Sequence, residues 1–142
     1  MSELIDFGSF TVNFLQDKHG TDGGLDMFEL TAQPKGKMPL PHYHEAWEET
    51  VYGVEGTMTY TIDGVDHHLG PGDSAFVPRN VVHAFDNRTD TVAKCLCILT
   101  PGVLGPEYFR ELSAEIRTGK PDPAVMKEIM ARHRLIPVPP KS

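Results

Sequence analysis

The chain has 142 residues, 39% of them hydrophobic, enough to bury one apolar core without disulfide or zinc staples, so a single domain over residues 1–142 is expected. Its formal net charge of -7, with no cluster of Lys or Arg, argues against nucleic acid and anionic membrane surfaces as partners. Met1 to Phe14 has no basic region leading into an apolar run, and no stretch nears the ~18 apolar residues of a membrane span, so a soluble cytoplasmic protein is the expectation.

The first clean alternation of apolar and polar residues is Phe10-Thr-Val-Asn-Phe14, which reads as a strand. A second short run covers Leu25 to Thr31 and is broken by Pro34-Lys-Gly36. Further strands are expected at about Glu49 to Val54, Met58 to Ile62, Ser74 to Val77 and Val92 to Leu99. Turns punctuate them at Glu55-Gly56, at Asp63-Gly64, a two-residue hairpin signal, and at Gly70-Pro-Gly-Asp73. The 13 Gly and 12 Pro are scattered between apolar runs, as many turns between short strands require, and such spacing implies a sandwich or barrel.

Cys95 and Cys97 fall in the last of these runs. Two apart on a strand they share a face, too close in sequence for an ordinary disulfide, and they read as buried thiols in a reducing compartment. After Pro101 the period changes: Phe109, Leu112 and Ile116 lie at i, i+3 and i+7, and Gly119 is placed to stop a helix. A second helix opens at Asp122-Pro123 and carries Val125, Met126, Ile129 and Met130 before the basic His133-Arg134. These helices, at about 105–135, are too short for a core of their own and should pack on the outside of a barrel at about 8–100, or against a second subunit. The Pro-rich end, Ile136 to Ser142, reads as extended.

Chemistry concentrates in two stretches. In Gly36-Lys-Met-Pro-Leu-Pro-His42-Tyr-His44-Glu-Ala-Trp-Glu-Glu49, the histidines at i and i+2 share one face of a strand, roughly 6.5 Å apart, so both imidazoles can reach one ion. That pair alone also fits a solvated strand. In Gly72-Asp-Ser-Ala-Phe-Val-Pro78-Arg-Asn-Val-Val-His83-Ala-Phe-Asp-Asn87, one histidine follows an apolar strand, a proline turn and two valines, which returns it to the interior.

Together the stretches resemble the paired motifs of the cupin superfamily. The first, G-x5-H-x-H-x(3,4)-E-x6-G, fits Gly36, His42, His44, Glu49 and Gly56; the second, G-x5-P-x-G-x2-H-x3-N, fits Gly72, Pro78, His83 and Asn87. Asn80 stands where the family has glycine, and asparagine tolerates a left-handed backbone best after glycine, so the same turn is expected. The resemblance covers about residues 25–100. It implies an all-β jelly-roll barrel, the double-stranded β-helix, with a C-terminal helical extension.

It also implies one divalent transition metal, Fe, Mn, Ni, Co or Zn, held by His42, His44, Glu49 and His83. The motif permits Glu48 as the carboxylate, but six residues separate Glu49 from Gly56, and neighbours on an alternating strand cannot both face inward; Glu48 is therefore expected in solvent. Because imidazole must be neutral to bind, metal affinity should fall as pH drops through the region of ~6.5. Met38, Tyr60, Phe76 and Phe85 are candidates for a substrate pocket, with Tyr43, Trp47 and Met58 as further aromatic or apolar neighbours expected mostly in the core. His19, His67, His68 and His133 are expected at the surface.

The resemblance is strongest to quercetinase-like cupins, which implies a dioxygenase acting on an aromatic or enolisable small molecule, with Glu49 able to take a proton from the substrate. The same ligands suit a non-redox isomerase, lyase or polyketide-type cyclase, or a metal-anchored small-molecule binder. Edge strands and the helical tail make a homodimer the expected assembly.

Overall fold

Alternation of buried and outward-facing side chains builds the longer strands in the computed structural model, which describes residues 2–38 and 40–138. In chain order the strands are β1 (Glu3–Asp6), β2 (Phe10–Gln16), β3 (Asp26–Ala32), β4 (His42–His44), β5 (Glu48–Glu55), β6 (Met58–Ile62), β7 (Val65–Leu69), β8 (Ser74–Val77), β9 (His83–Asp86), β10 (Ala93–Thr100) and β11 (Leu135–Pro137). Between β10 and β11 come the helices α1 (Gly105–Ile116) and α2 (Pro123–Arg132).

The strands form two antiparallel sheets, ordered β1-β2-β3-β10-β5-β8 and β11-β4-β9-β6-β7. Their inner faces meet over an apolar core that includes Val12, Leu30, Val51, Met58, Val77 and Leu99, giving the expected jelly-roll barrel. Cys95 and Cys97 are free thiols within this core, and burial pushes both up, Cys95 to about 12. They are packing residues at neutral pH.

Local chemistry explains the turns. Asp63 and Gly64 have φ of 51° and 77°, the doubly left-handed turn that an Asp-Gly pair favours in a two-residue hairpin, here joining β6 to β7. At Gly56, φ is 63° and an added Cβ would lie 2.2 Å from the Val92 carbonyl oxygen, so space and backbone both demand glycine.

Two features depart from the expectation. The barrel takes in chain from both ends: β1 pairs with β2, and β11 returns after the helices to pair with β4, Leu135 opposite His44 and Pro137 opposite His42. The residues after Val138 lie outside those described, so the expected extended end is seen only as far as β11. The second departure concerns α1, which does more than cover the barrel's exterior. Its Tyr108, Phe109 and Leu112 line the internal cavity, and Phe109 sits 5.2 Å from Phe28, 5.5 Å from Phe14 and 6.2 Å from Phe7, centroid to centroid. Asp26, buried at the start of β3, accepts from the backbone N–H of Gly105 at 3.0 Å and of Lys18 at 2.8 Å, pinning the start of α1 to the barrel. At α2, Asp122 caps the helix as expected, accepting from Ala124 N–H at 2.9 Å.

Candidate metal centre and its cavity

β4 is three residues long and alternates: His42 and His44 face inward and are buried, while Tyr43 between them is half-buried on the other face. Across the ladder His42 pairs with His83, the first residue of β9, so the third imidazole enters beside the first. The preceding turn depends on Asn80, which adopts φ of 69° and donates its backbone N–H to the His44 carbonyl at 2.9 Å. Asparagine thus holds the left-handed position, as expected, and ties the turn to the strand that carries two of the histidines.

The imidazole nitrogens of His42, His44 and His83 lie within 4.8 Å of one another. Each ring is oriented through its Nδ1, which lies 3.3 Å from the Leu40 carbonyl in His42, 2.8 Å from the Trp47 carbonyl in His44 and 3.0 Å from the Val81 carbonyl in His83. A carbonyl only accepts, so in the neutral ring Nδ1 carries the hydrogen and the Nε2 lone pair is left free. His44 is further fixed by stacking on Trp47, with ring centroids 4.6 Å apart and planes 18° from parallel.

Glu49 also faces inward, from β5. Its Oε1 lies 3.7 Å from His44 Nε2 and 3.9 Å from His83 Nε2. Its Oε2 accepts a long hydrogen bond of 3.4 Å from the Tyr60 hydroxyl. Glu48, one residue earlier, points the other way and pairs with Arg79 at 2.6 Å, so alternation separates the two carboxylates.

Charge follows burial. Desolvation pushes His42 well below the ordinary histidine value, and the neighbouring His83 and His44 add to it. His83 is lowered by burial too, partly offset by Glu49. Burial raises Glu49, but the neighbouring His44 and His83 and the Tyr60 hydroxyl outweigh it, and the carboxylate sits below its usual value. Proton competition for His42 and His83 is therefore displaced below the ~6.5 of free imidazole.

The donors fit a divalent transition ion. His44 Nε2 is buried without a hydrogen-bond partner, an arrangement that costs free energy unless something accepts its lone pair. Three imidazoles with a carboxylate beside them form a mixed N/O set for such an ion.

The rest of the cavity is apolar. Its volume is about 70 Å³, and Lys and Arg are absent from its described lining residues. Met38, Tyr60 and Phe85 line it. Phe76 does not: it is 55% exposed on the outer face of β8, because Ala75 and Val77 take the inward positions opposite Val51 and Glu49. The sequence reasoning also missed wall residues. Phe7, between β1 and β2, Phe10 of β2, and Leu104, Tyr108, Phe109 and Leu112 of the helical extension line the cavity, and Trp47, buried in the core as expected, lines it too. An amphipathic stripe marks a buried helix face without saying what that face covers. His67 and His68 are exposed on β7, His19 is exposed in an ion pair with Glu107, and His133 is half-buried against Glu111.

Comparison with known proteins bears on this centre. The family model described as "Cupin domain" matches residues 28–99, just over half of the chain. The chain is a cupin. Over 80 residues this cupin is 44% identical to the quercetin 2,3-dioxygenase of Bacillus subtilis (strain 168), covering 56% of this chain and 23% of that protein. It is 37% identical over 66 residues to Protein SchB of Streptomyces halstedii, covering 46% of this chain and 48% of that one. The cupin thus spans less than half the length of these two curated relatives. Among solved structures it is similar to a cupin-superfamily sugar phosphate isomerase from Silicibacter pomeroyi, with a TM-score of 0.58 and 28% identity over 66% of this chain and 60% of that one.

Proposed function

We propose that this cupin is a metal-dependent enzyme, a dioxygenase acting on an aromatic or enolisable small molecule. The observation that carries the reading is the polarity of the cavity: three histidines and Glu49 gather in a space whose other described walls are mainly apolar and aromatic. His42, His44, His83 and Glu49 are the residues that would hold the ion. A bound transition ion supplies a Lewis acid and, if redox-active, a path for electrons to oxygen.

The chain's own groups prepare the substrate. Glu49 is ionised at neutral pH and faces the cavity, so it can accept the proton released when a hydroxy-ketone becomes its enolate. Tyr60 engages Oε2, which leaves Oε1 towards the imidazoles. Leu99, Leu104 and the aromatic walls exclude water from a reactive enolate. The sequence likeness to a quercetin dioxygenase supports oxygen chemistry.

A non-redox isomerase is the second reading, favoured by the likeness to a sugar phosphate isomerase. The cavity speaks against phosphorylated substrates, because no Lys or Arg is among its described lining residues to pair with a phosphate. The two readings separate on metal and oxygen. Elemental analysis of purified protein, with oxygen uptake on a panel of flavonols, enediols and diketones, should show a redox-active metal and oxygen consumption with at least one of these classes; a zinc protein that consumes none would overturn the dioxygenase.

A further inference from the structure

The matched cupin segment ends at residue 99, yet part of the cavity wall comes from beyond it. Tyr108, Phe109 and Leu112 lie at i, i+1 and i+4 of α1, and Tyr108 and Leu112 are buried. Phe109 is inserted among Phe7, Phe14 and Phe28, and Tyr108 stacks edge-on to Phe109 at 5.0 Å. The helix is tied down on several sides: Glu107 to His19, Arg110 to Glu3, Glu111 to Arg132 and His133, and the Ser113 hydroxyl to the Asp6 carbonyl. The space left is about 70 Å³, several-fold below the ~300 Å³ at which drug-sized ligand pockets begin.

We propose that α1 sets the substrate range of the metal site: Phe109 and Leu112 close its apolar end so that it accepts a short, uncharged hydroxy-ketone or dicarbonyl and refuses a flavonol-sized one. This rests on the metal-dependent reading above and narrows it. Two chelating oxygens of such a compound match the polar end, its short hydrocarbon remainder matches the walls, and a phosphate would be left buried without a counter-charge. A bicyclic flavonol with its third ring would need the volume that Phe109 and Leu112 occupy. The two side chains are then specificity residues, set by the helical extension and not by the family motifs.

The test is binding to the full chain loaded with zinc, a redox-silent probe metal, read by calorimetry and thermal shift. Maltol and 3-hydroxyflavone share one chelating hydroxy-ketone head and differ in bulk, and dihydroxyacetone phosphate adds the anion. Wild type should bind maltol at least tenfold more tightly than 3-hydroxyflavone and show no preference for the phosphate. Leu112→Ala should narrow the maltol-to-hydroxyflavone ratio by tenfold or more while zinc content stays unchanged; Phe109→Leu is the second variant, read by the same ratio. Equal binding of both probes by wild type, or a ratio unmoved in the folded variants, would overturn the inference. Oxygen uptake tests the dioxygenase separately: a protein with the expected ratio and no oxygen consumption with any metal keeps the inference and loses that reaction.

Discussion

His83 shows how much of the site rests on single atoms. Its Nδ1 is turned to the Val81 carbonyl and its Nε2 to Glu49, so the ring's orientation is fixed by the backbone on one side and the cluster on the other. Truncation to alanine removes one of the clustered imidazoles while leaving the apolar core untouched. His83→Ala should weaken metal binding by about 100-fold or more, since altering the groups that merely orient such ligands already costs 10–100-fold. Metal content by elemental analysis and far-UV circular dichroism check the two halves, and a variant that keeps full metal content would remove His83 from the centre. The inward placement of His42, His44 and Glu49 was legible in sequence because i and i+2 on a strand share a face, and because the neighbours Glu48 and Glu49 cannot. Phe76 was misplaced for a related reason. Ser-Ala-Phe-Val is apolar at both parities, so alternation there leaves the inward face undecided until pairing opposite Thr50 settles it.

At the scale of elements, Asn80 is the most informative departure from the family motif. It holds φ of 69° and its N–H bonds the carbonyl of His44, so the turn before β9 and the strand β4 share one geometry. Asn80→Gly should leave stability within about 0.5 kcal/mol, because both residues accept a left-handed backbone. Asn80→Val should cost about 1–2 kcal/mol, the penalty of forcing a β-branched residue there. Urea unfolding midpoints measure both, and a valine variant as stable as wild type would mean that the turn is not held at this φ. The larger strands and both helices were legible from period and punctuation. β1, β9 and β11 were not, because three or four residues carry little period, and β9 and β11 owe their pairing to partners distant in sequence, as β11 does to β4. The destination of α1 was hidden for the same reason. Its stripe of Phe109, Leu112 and Ile116 announced burial, while the cavity it faces exists only once the sheets have closed.

For the whole molecule, the buried cluster links stability to pH. In the folded, metal-free protein His42 and His83 resist protonation, chiefly because burial penalises the charged ring. In the unfolded chain the same rings take up protons near ~6.5. Below that pH the unfolded state binds more protons than the folded one, so the stability these residues provide is fully present above ~6.5 and is lost as pH falls towards their lowered folded values, by at most about 1.4 kcal/mol per pH unit for each proton. Chelator-treated protein unfolded in urea at pH 8, 7, 6 and 5 should therefore hold its midpoint from pH 8 to 7 and lose it progressively below 6.5. His19 and His133 also contact carboxylates, Glu107 and Glu111, near the surface, so the slope of the wild type alone does not isolate the cluster. His42→Asn removes one buried ring and leaves both outer pairs, and its slope between pH 6.5 and 5 should be shallower than that of the wild type. Parallel slopes would show that His42 is protonated as easily inside the barrel as outside it, and the neutral, metal-ready cluster would have to be abandoned.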